Sequence, residues 1–314
     1  MVDAVDDLFQ RQAALATVGQ LAASGVSRSA LRARLRREWG FVLPRLVSGT
    51  RRPLDDQQRL VGALLFAGEG AVITSHTAAA WHGVRAAAVD RSVRVAIPSN
   101  RAVKSHGFVL VTRTERPDGT AWQRGPLVVA SPARAVADSA RYGGVDRARA
   151  VVIEAVQKQL VSLPALRHEL CAGPRTGSAV LRTALADAER GAWSVPEADL
   201  ARLVADHPRL PEMWANPLLL MGDVRLLTPD GWFDDVGLAV QVHSRRYQAG
   251  ALDWEATVAA DGIFAEHGVP VVAVTPRQIA IDGASVVRRI ERTHQAAQER
   301  PRPAVTAVPA GAPS

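Results

Sequence analysis

Eight arginines stand between residues 26 and 52 against the single acid Glu38, a local charge of +7. A guanidinium donates hydrogen bonds in parallel pairs, to two oxygens of a phosphate or to the acceptor edge of guanine, so this segment carries chemistry for gripping a polyanion. Arg28, Arg32 and Arg36 recur one helical turn apart beside the stripe of Leu31 and Leu35, which must face inward, while Arg34 and Arg37 lie on the other flank. Ser29, Ala30 and Ala33 are small enough to let another surface approach closely. Ser27 supplies the N-cap of this helix, which should run from Arg28 to Arg37. Upstream, Thr17-Val18-Gly19-Gln20 is a capping box that opens a shorter helix ending near Ser24, and Gly25 provides the turn between the two. Downstream, residues 39–47 alternate as a β-wing, and Arg51-Arg52 closes the basic run. The expectation is a winged helix-turn-helix over residues 1–53, with Arg28, Ser29, Arg32, Arg36, Arg37 and Arg45 contacting double-stranded DNA.

A second group of reactive side chains lies in the last third of the chain. Pro229-Asp230-Gly231-Trp232-Phe233 is followed by Leu238-Ala239-Val240-Gln241-Val242-His243-Ser244, and Glu197 opens a helix predicted from Pro196 to Ala205. The pattern predicts paired strands at 223–227 and 237–243, then a helix over 252–267 and a buried-type strand at 269–274 ended by Pro276. This hairpin resembles the metal-binding hairpin of PD-(D/E)XK nucleases, with Gln241 where the second acid belongs. Residues 193–290 are similar to the actinobacterial relatives of very-short-patch-repair endonucleases, whose later landmarks are matched by Leu252-Asp253-Trp254-Glu255 and Thr275-Pro276-Arg277-Gln278-Ile279.

The resemblance implies a restriction-endonuclease-like α-β-β-α-β core, with Glu197, Asp230, Gln241 and His243 at the catalytic positions and Glu197 and Asp230 as metal ligands. Gln241 offers a neutral carbonyl oxygen, which ligates without supplying the negative charge that concentrates a cation. His243 suits zinc or manganese better than magnesium, and with an ordinary pKa of about 6.5 it has the chemistry of a general base. Asp234 and Asp235 are further oxygen donors in the turn, and the segment contains no lysine, leaving Arg245 or Arg246 as an imperfect water-orienting substitute. Mg²⁺ or Mn²⁺ is therefore expected only if the nuclease-like site is active, and no other cofactor is implied.

Between the two lies a segment predicted as a small α/β unit. Residues 54–83 read as two helices, the second capped by Ser75; strands follow at 93–97, 107–112 and 125–130, and helices at 145–160 and 163–187. Ser75-His76-Thr77-Ala78-Ala79-Ala80-Trp81-His82-Gly83 and Ser131-Pro132-Ala133-Arg134-Ala135-Val136-Ala137-Asp138 resemble two motifs of the AbiEi-type antitoxin proteins, a likeness that extends over residues 8–190 and implies repressor or antitoxin activity. His76 and His82 stand six residues apart, on opposite sides of a helix, which does not make a metal clamp. Arg91, Arg94, Arg101, Lys104, Arg113 and Arg116 lie on or beside the strands, as an extension of a DNA footprint or as a solvated sheet face.

The whole fits a multidomain α+β / α/β protein of 314 residues and net charge +7, divided at 1–53, 54–191 and 192–298 with a disordered Pro/Ala-rich tail at 299–314. Residues 194–300 hold ten basic against fifteen acidic groups, so a polyanion should meet the N-terminal head first. Cys171 is the lone cysteine, excluding an internal disulfide and expected as a small core residue. No long apolar run predicts a membrane span, and the acidic N-terminus is unlike a signal peptide, which suggests a cytoplasmic protein. The functional expectation is a DNA-binding transcriptional repressor or antitoxin-like protein carrying an inactive nuclease-like domain, with operator DNA or a cognate toxin as partner and a homodimer as its form. A metal-dependent DNA endonuclease is the rival, and a scaffold that binds no DNA the third.

Overall fold

The computed structural model describes residues 2–88, 91–189, 193–222, 224–243 and 262–310. It is a mixed α and β fold of two compact units, Met1–Arg182 and Thr183–Ser314. The segments expected as separate domains over 1–53 and 54–191 thus share one unit as far as Arg182. No described helix is long and apolar enough to cross a membrane.

The first unit begins α1 (Val2–Arg11), β1 (Leu15–Thr17), α2 (Val18–Ala23), α3 (Arg28–Arg37), β2 (Gly40–Leu43) and β3 (Leu46–Ser48), with the strands paired antiparallel in the order β1-β3-β2. The Thr17–Gln20 capping box is present, and Ser27 Oγ accepts from Ala30 N at 3.2 Å. The additional helix α1 supplies Val5 to a core of Ala16, Leu21, Trp39 and Val47, against which Phe9, Leu31 and Leu35 pack. Phe9 meets Trp39 edge-on with centroids 5.2 Å apart, and Arg34 lies over the same indole at 4.8 Å. Arg51 Nη2 donates to the carbonyls of Leu35 (2.7 Å) and Arg36 (2.9 Å), satisfying acceptors that the end of α3 would leave open.

The chain continues through α4 (Asp56–Ala67), β4 (Val72–Ile73), α5 (Ser75–Trp81), β5 (Val93–Pro98), β6 (Val109–Thr114), β7 (Trp122–Arg124), β8 (Leu127–Val129), α6 (Pro132–Tyr142), α7 (Val145–Gln157) and α8 (Leu163–Ala172). The strands form one sheet in the order β6-β5-β4-β8-β7. Gln58 Nε2 donates to Ala13 O at 3.0 Å, so α4 ties this part to the head. The single helix predicted over 163–187 is two helices, because Gly173-Pro174 breaks it and α9 (Ser178–Glu189) starts anew.

Ser75 is the first residue of α5 rather than its cap, at φ 57°, and the cap position belongs to Thr74, whose hydroxyl makes no capping bond. Asp138 explains this correction. Its Oδ2 accepts from Thr74 Oγ1 (2.7 Å) and Arg134 Nε (2.8 Å), and its Oδ1 from Arg141 Nη1 (3.1 Å). Arg141 Nη2 also donates to Glu169 O at 2.6 Å, and a Cβ at Gly173 would stand 2.0 Å from that nitrogen, so only glycine admits it. The two motifs at 75–83 and 131–138 therefore meet at Asp138, whose backbone carbonyl accepts from Ser75 Oγ at 3.4 Å and whose carboxylate takes the preceding Thr74.

In the second unit α10 (Val195–Ala205) and α11 (Pro276–Gln298) lie against a sheet of β9 (Trp214–Ala215), β12 (Gly231–Phe233), β13 (Leu238–Val242) and β14 (Val271–Val274). Its order is β14-β13-β12-β9; β14 runs parallel to β13, and the other pairs are antiparallel. The partner of β13 is therefore β12, not the predicted strand at 223–227. That segment contributes only β11 (Val224–Arg225), which pairs with β10 (Leu218–Met221) in a second sheet. Pro276 does not merely end β14; it opens α11 behind a Thr275–Gln278 capping box. Of the helix expected over 252–267, residues 262–266 are helical, and the rest, with Leu252-Asp253-Trp254-Glu255, Arg245 and Arg246, lies outside the described residues.

The tail expected to be disordered is ordered through residue 310: β15 (Thr306–Val308) pairs antiparallel with β10, and Val305 is buried. Arg302 supplies the anchor that composition conceals. Its Nε donates to Asp234 O (2.7 Å), its Nη2 pairs with Asp234 Oδ1 (2.6 Å), and its Nη1 donates to Val305 O (2.9 Å). Gly237, at φ 67°, lets Pro303 pass where a Cβ would stand 2.8 Å from its ring.

Asp138 is the member whose loss leaves Arg134 and Arg141 buried without their anion. Asp138→Ala should destabilise the protein by about 3–5 kcal/mol, the range for removing one partner of a buried ion pair. Urea unfolding followed by circular dichroism measures it, and a change below about 1 kcal/mol would show that the cluster does not hold α5 to α6.

Candidate functional site

Two sets of side chains carry chemistry. The first is the outer face of α3 with the β2–β3 turn. Arg28, Ser29, Arg32, Arg36 and Arg37 are all placed on this helix, and Arg45 sits in the turn at φ 62°. Arg28, Ser29, Arg32, Arg36, Arg37 and Arg45 are solvent-accessible. None of these five guanidinium groups hydrogen-bonds or pairs with an acid among the described residues; Ser29 Oγ shares a 2.9 Å hydrogen bond with Ser27 Oγ. The other arginines of the run are partly committed, Arg34 to Trp39 and Arg51 to the end of α3. What remains is five uncompensated cations on one helix and one turn.

The second set is the carboxylate pair of the C-terminal unit. The last paired rung of the β12–β13 ladder is Gly231 with Val240, so Asp230 and Gln241 are the next residues outward on their two strands. Asp230 Oδ2 accepts from Val242 N at 2.6 Å. Glu197 belongs to the first turn of α10, whose N-cap Ser194 accepts from Glu197 N at 3.4 Å; Ser194 Oγ donates to Oε1 (2.7 Å), and Trp193 N donates to Oε2 (2.7 Å). Asn216 joins the two acids, donating Nδ2 to Glu197 Oε2 (3.1 Å) and its backbone N–H to Asp230 O (3.4 Å). His243 continues the ladder through N–H to Val274 O at 2.8 Å, and Glu197, Asp230, Gln241 and His243 are all half-buried.

Burial raises the Asp230 carboxyl, the neighbouring Glu197 charge raises it further, and the Val242 N–H only partly offsets them, leaving a pKa of about 7. Of the four oxygens in this pair, Asp230 Oδ1 is the one without a protein donor among the described residues. A divalent ion of the Mg²⁺ type takes several oxygen ligands and excess negative charge. The described residues offer it one oxygen without a protein donor, and among them no three His, Cys, Asp or Glu side chains are grouped to hold a metal. Asp234 and Asp235 do not extend the set: Asp234 bonds Trp232 Nε1 (3.0 Å) and Arg302, and Asp235 bonds His294 Nε2 (2.8 Å).

The remaining candidates are placed as follows. His82 Nε2 lies 2.8 Å from Ala130 O, and His76 Nδ1 lies 3.1 Å from Ser75 Oγ, which separates their roles. Arg101 donates to Glu69 O (2.8 Å) and Arg116 pairs with Glu169. Cys171, expected in the core, is exposed on α8. Asn216 is the member of this candidate site that sequence reasoning misses; its signal is the Asn-Pro dipeptide at 216–217, and its φ of 50° is one that Asn tolerates. Comparison of the chain with protein-family models and with curated proteins finds no match.

A raised carboxyl pKa favours folding at low pH. Its contribution is complete below the unfolded value near 3.8 and is lost as pH rises through about 7. Asp230→Asn keeps an acceptor for Val242 N–H and removes the titration. The variant should match the parent near pH 4 and exceed it at pH 8 by roughly 2–4 kcal/mol. Denaturant unfolding across that range decides it, and a variant less stable than the parent at pH 8 contradicts the charge repulsion described here.

Proposed function

We propose that the protein is a DNA-binding regulator of repressor or antitoxin type, acting in the cytoplasm, in which residues 1–53 serve as a winged helix and the C-terminal unit is a PD-(D/E)XK-like domain without cleavage activity. The carrying observation is the set of unpaired guanidiniums of Arg28, Arg32, Arg36, Arg37 and Arg45, on one helix and the adjoining turn. The order α1-β1-α2-α3-β2-β3, with an antiparallel sheet behind α3, supports a winged-helix reading in which α3 enters the major groove and the turn at Arg45 meets backbone. Double-stranded operator DNA is the partner this chemistry suits; a homodimer reading paired half-sites or a cognate toxin belongs to the same proposal.

The test is a salt titration of duplex binding by fluorescence anisotropy. Arg32→Ala/Arg36→Ala should weaken binding and make the slope of log K against log salt shallower by roughly 1.8, about 0.9 for each phosphate that the variant leaves unneutralised. Both guanidiniums are unpaired, so the double variant should keep its melting temperature. An unchanged affinity and slope would remove the proposal.

A second reading, a metal-dependent DNA endonuclease, is favoured by one observation: the strand order β14-β13-β12-β9, with its parallel last strand, is the one a PD-(D/E)XK core needs, and it brings Glu197 beside Asp230. Plasmid nicking with Mg²⁺ and Mn²⁺ separates the readings. The expected outcome is no nicking above background. Nicking that Asp230→Ala abolishes would establish the endonuclease instead.

A further inference from the structure

A cavity of about 750 Å³ opens on the first unit, within the size range of small-molecule sites. Its floor includes Arg94 and Leu110, opposite each other in the parallel β5–β6 pair. Around them stand Arg59 from α4, Trp81 from the end of α5, Arg91 from the segment before β5, and Tyr142 and Arg147 from the junction of α6 and α7. Four guanidiniums line one concavity, and Asp56 is the single acid there among the described residues.

None of the four arginines forms an ion pair among the described residues. Two are held by neutral partners alone. Arg59 donates Nε to Arg91 O at 3.1 Å and lies 4.3 Å over the Phe108 ring; Arg94 lies 4.4 Å over Tyr142, with Nη1 3.4 Å from Thr112 Oγ1. These contacts fix the guanidiniums and leave their charge uncompensated. Arg91 and Arg147 are exposed at the rim. Elsewhere in the same unit arginines take carboxylates, as Arg116 takes Glu169 and Arg134 takes Asp138. Like charges gathered at a concave wall repel one another and focus a positive potential into the cavity, and an anion relieves both.

The concavity and the aromatic wall narrow the class of anion. A duplex carries its phosphates on a convex surface that a cleft of this size does not admit. Trp81 is fixed by edge contacts to His82 (5.0 Å) and Trp122 (6.2 Å) and still contributes to the lining, an apolar surface suited to a flat ring. We infer that this cavity binds a small nucleoside phosphate, its phosphate held by Arg91, Arg94 and Arg147 and its base against Trp81. The site is separate from the α3 face and does not depend on DNA binding there.

Isothermal titration calorimetry on the full chain tests this with AMP, GMP, the two nucleosides and inorganic phosphate as probes. At least one nucleotide should bind, with its nucleoside and inorganic phosphate each weaker by roughly tenfold or more. Arg147→Gln should weaken the nucleotide by roughly tenfold, the scale of one charge-assisted hydrogen bond. Because Arg147 is exposed and unpaired, thermal melting should be unchanged in that variant. Trp81→Leu should weaken the nucleotide and leave inorganic phosphate unaffected, and Arg32→Ala/Arg36→Ala should leave nucleotide binding as it is. No heat with either nucleotide at millimolar concentration, inorganic phosphate binding as tightly as the nucleotide, or full affinity in both Arg147→Gln and Arg91→Gln would each overturn the inference.

Discussion

Burying a guanidinium without an anion costs several kcal/mol, whereas leaving it in water costs almost nothing, and this asymmetry sorts the arginines of the chain. The buried Arg134 and Arg141 share Asp138, and nearer the surface Arg116 pairs with Glu169, Arg202 with the fully buried Asp187 and the exposed Arg302 with Asp234. In each case the pair joins elements distant in sequence or fixes one that would otherwise be loose. The pairing of Arg302 changes a Pro/Ala-rich end into an ordered strand; that of Arg141 reaches the end of α8. Among the arginines without such duty, five stand together on α3 and the adjoining turn and four line the cavity over β5 and β6, while others, such as Arg113, Arg124, Arg225 and Arg277, are exposed singly. The proposed functions rest on that remainder, because a cation that the fold does not use is one a ligand can.

The acids of the C-terminal unit follow the same rule. Glu291 receives Arg209 at 3.1 Å and His207 at 3.7 Å, Asp235 receives His294, and Glu197 accepts from Ser194 Oγ, Trp193 N and Asn216 Nδ2. Their charges serve packing and helix termination. Asp230 is the exception: its charged form is opposed by burial and by Glu197 and supported by one backbone N–H.

Local chemistry is legible in the sequence. The Thr17 box, the Ser27 cap, α3 and the strand at β5 follow from residues that meet near neighbours in the chain. Features set by distant partners are not. Ser75 reads as a cap until Asp138, more than sixty residues on, claims the hydroxyls of Thr74 and Ser75 (separations of 64 and 63). The tail reads as disordered because Pro and Ala carry no periodicity, and only β10 and Asp234 give it a place. At the carboxylate site Asp230 stands out from its strand context, and Ser194-x-x-Glu197 is equally visible as a helix start. One glutamate satisfies both patterns, and its bonds to Trp193, Ser194 and Asn216 hold it at the head of α10.

The same electrostatics bears on the amide at position 241. A carboxylate there, on the rung next to Asp230, would add a third negative charge to a place where the second already holds a proton near neutral pH. Without a cation to offset it, each added charge raises the carboxyl pKa values further. Gln241 retains an oxygen and gains an N–H donor at no charge. The amide at 241 and the raised pKa of Asp230 therefore act in one direction, both lowering the negative charge of the hairpin. At the end of the β12–β13 ladder the two effects leave Asp230 and Glu197 sharing less than two full negative charges near neutral pH.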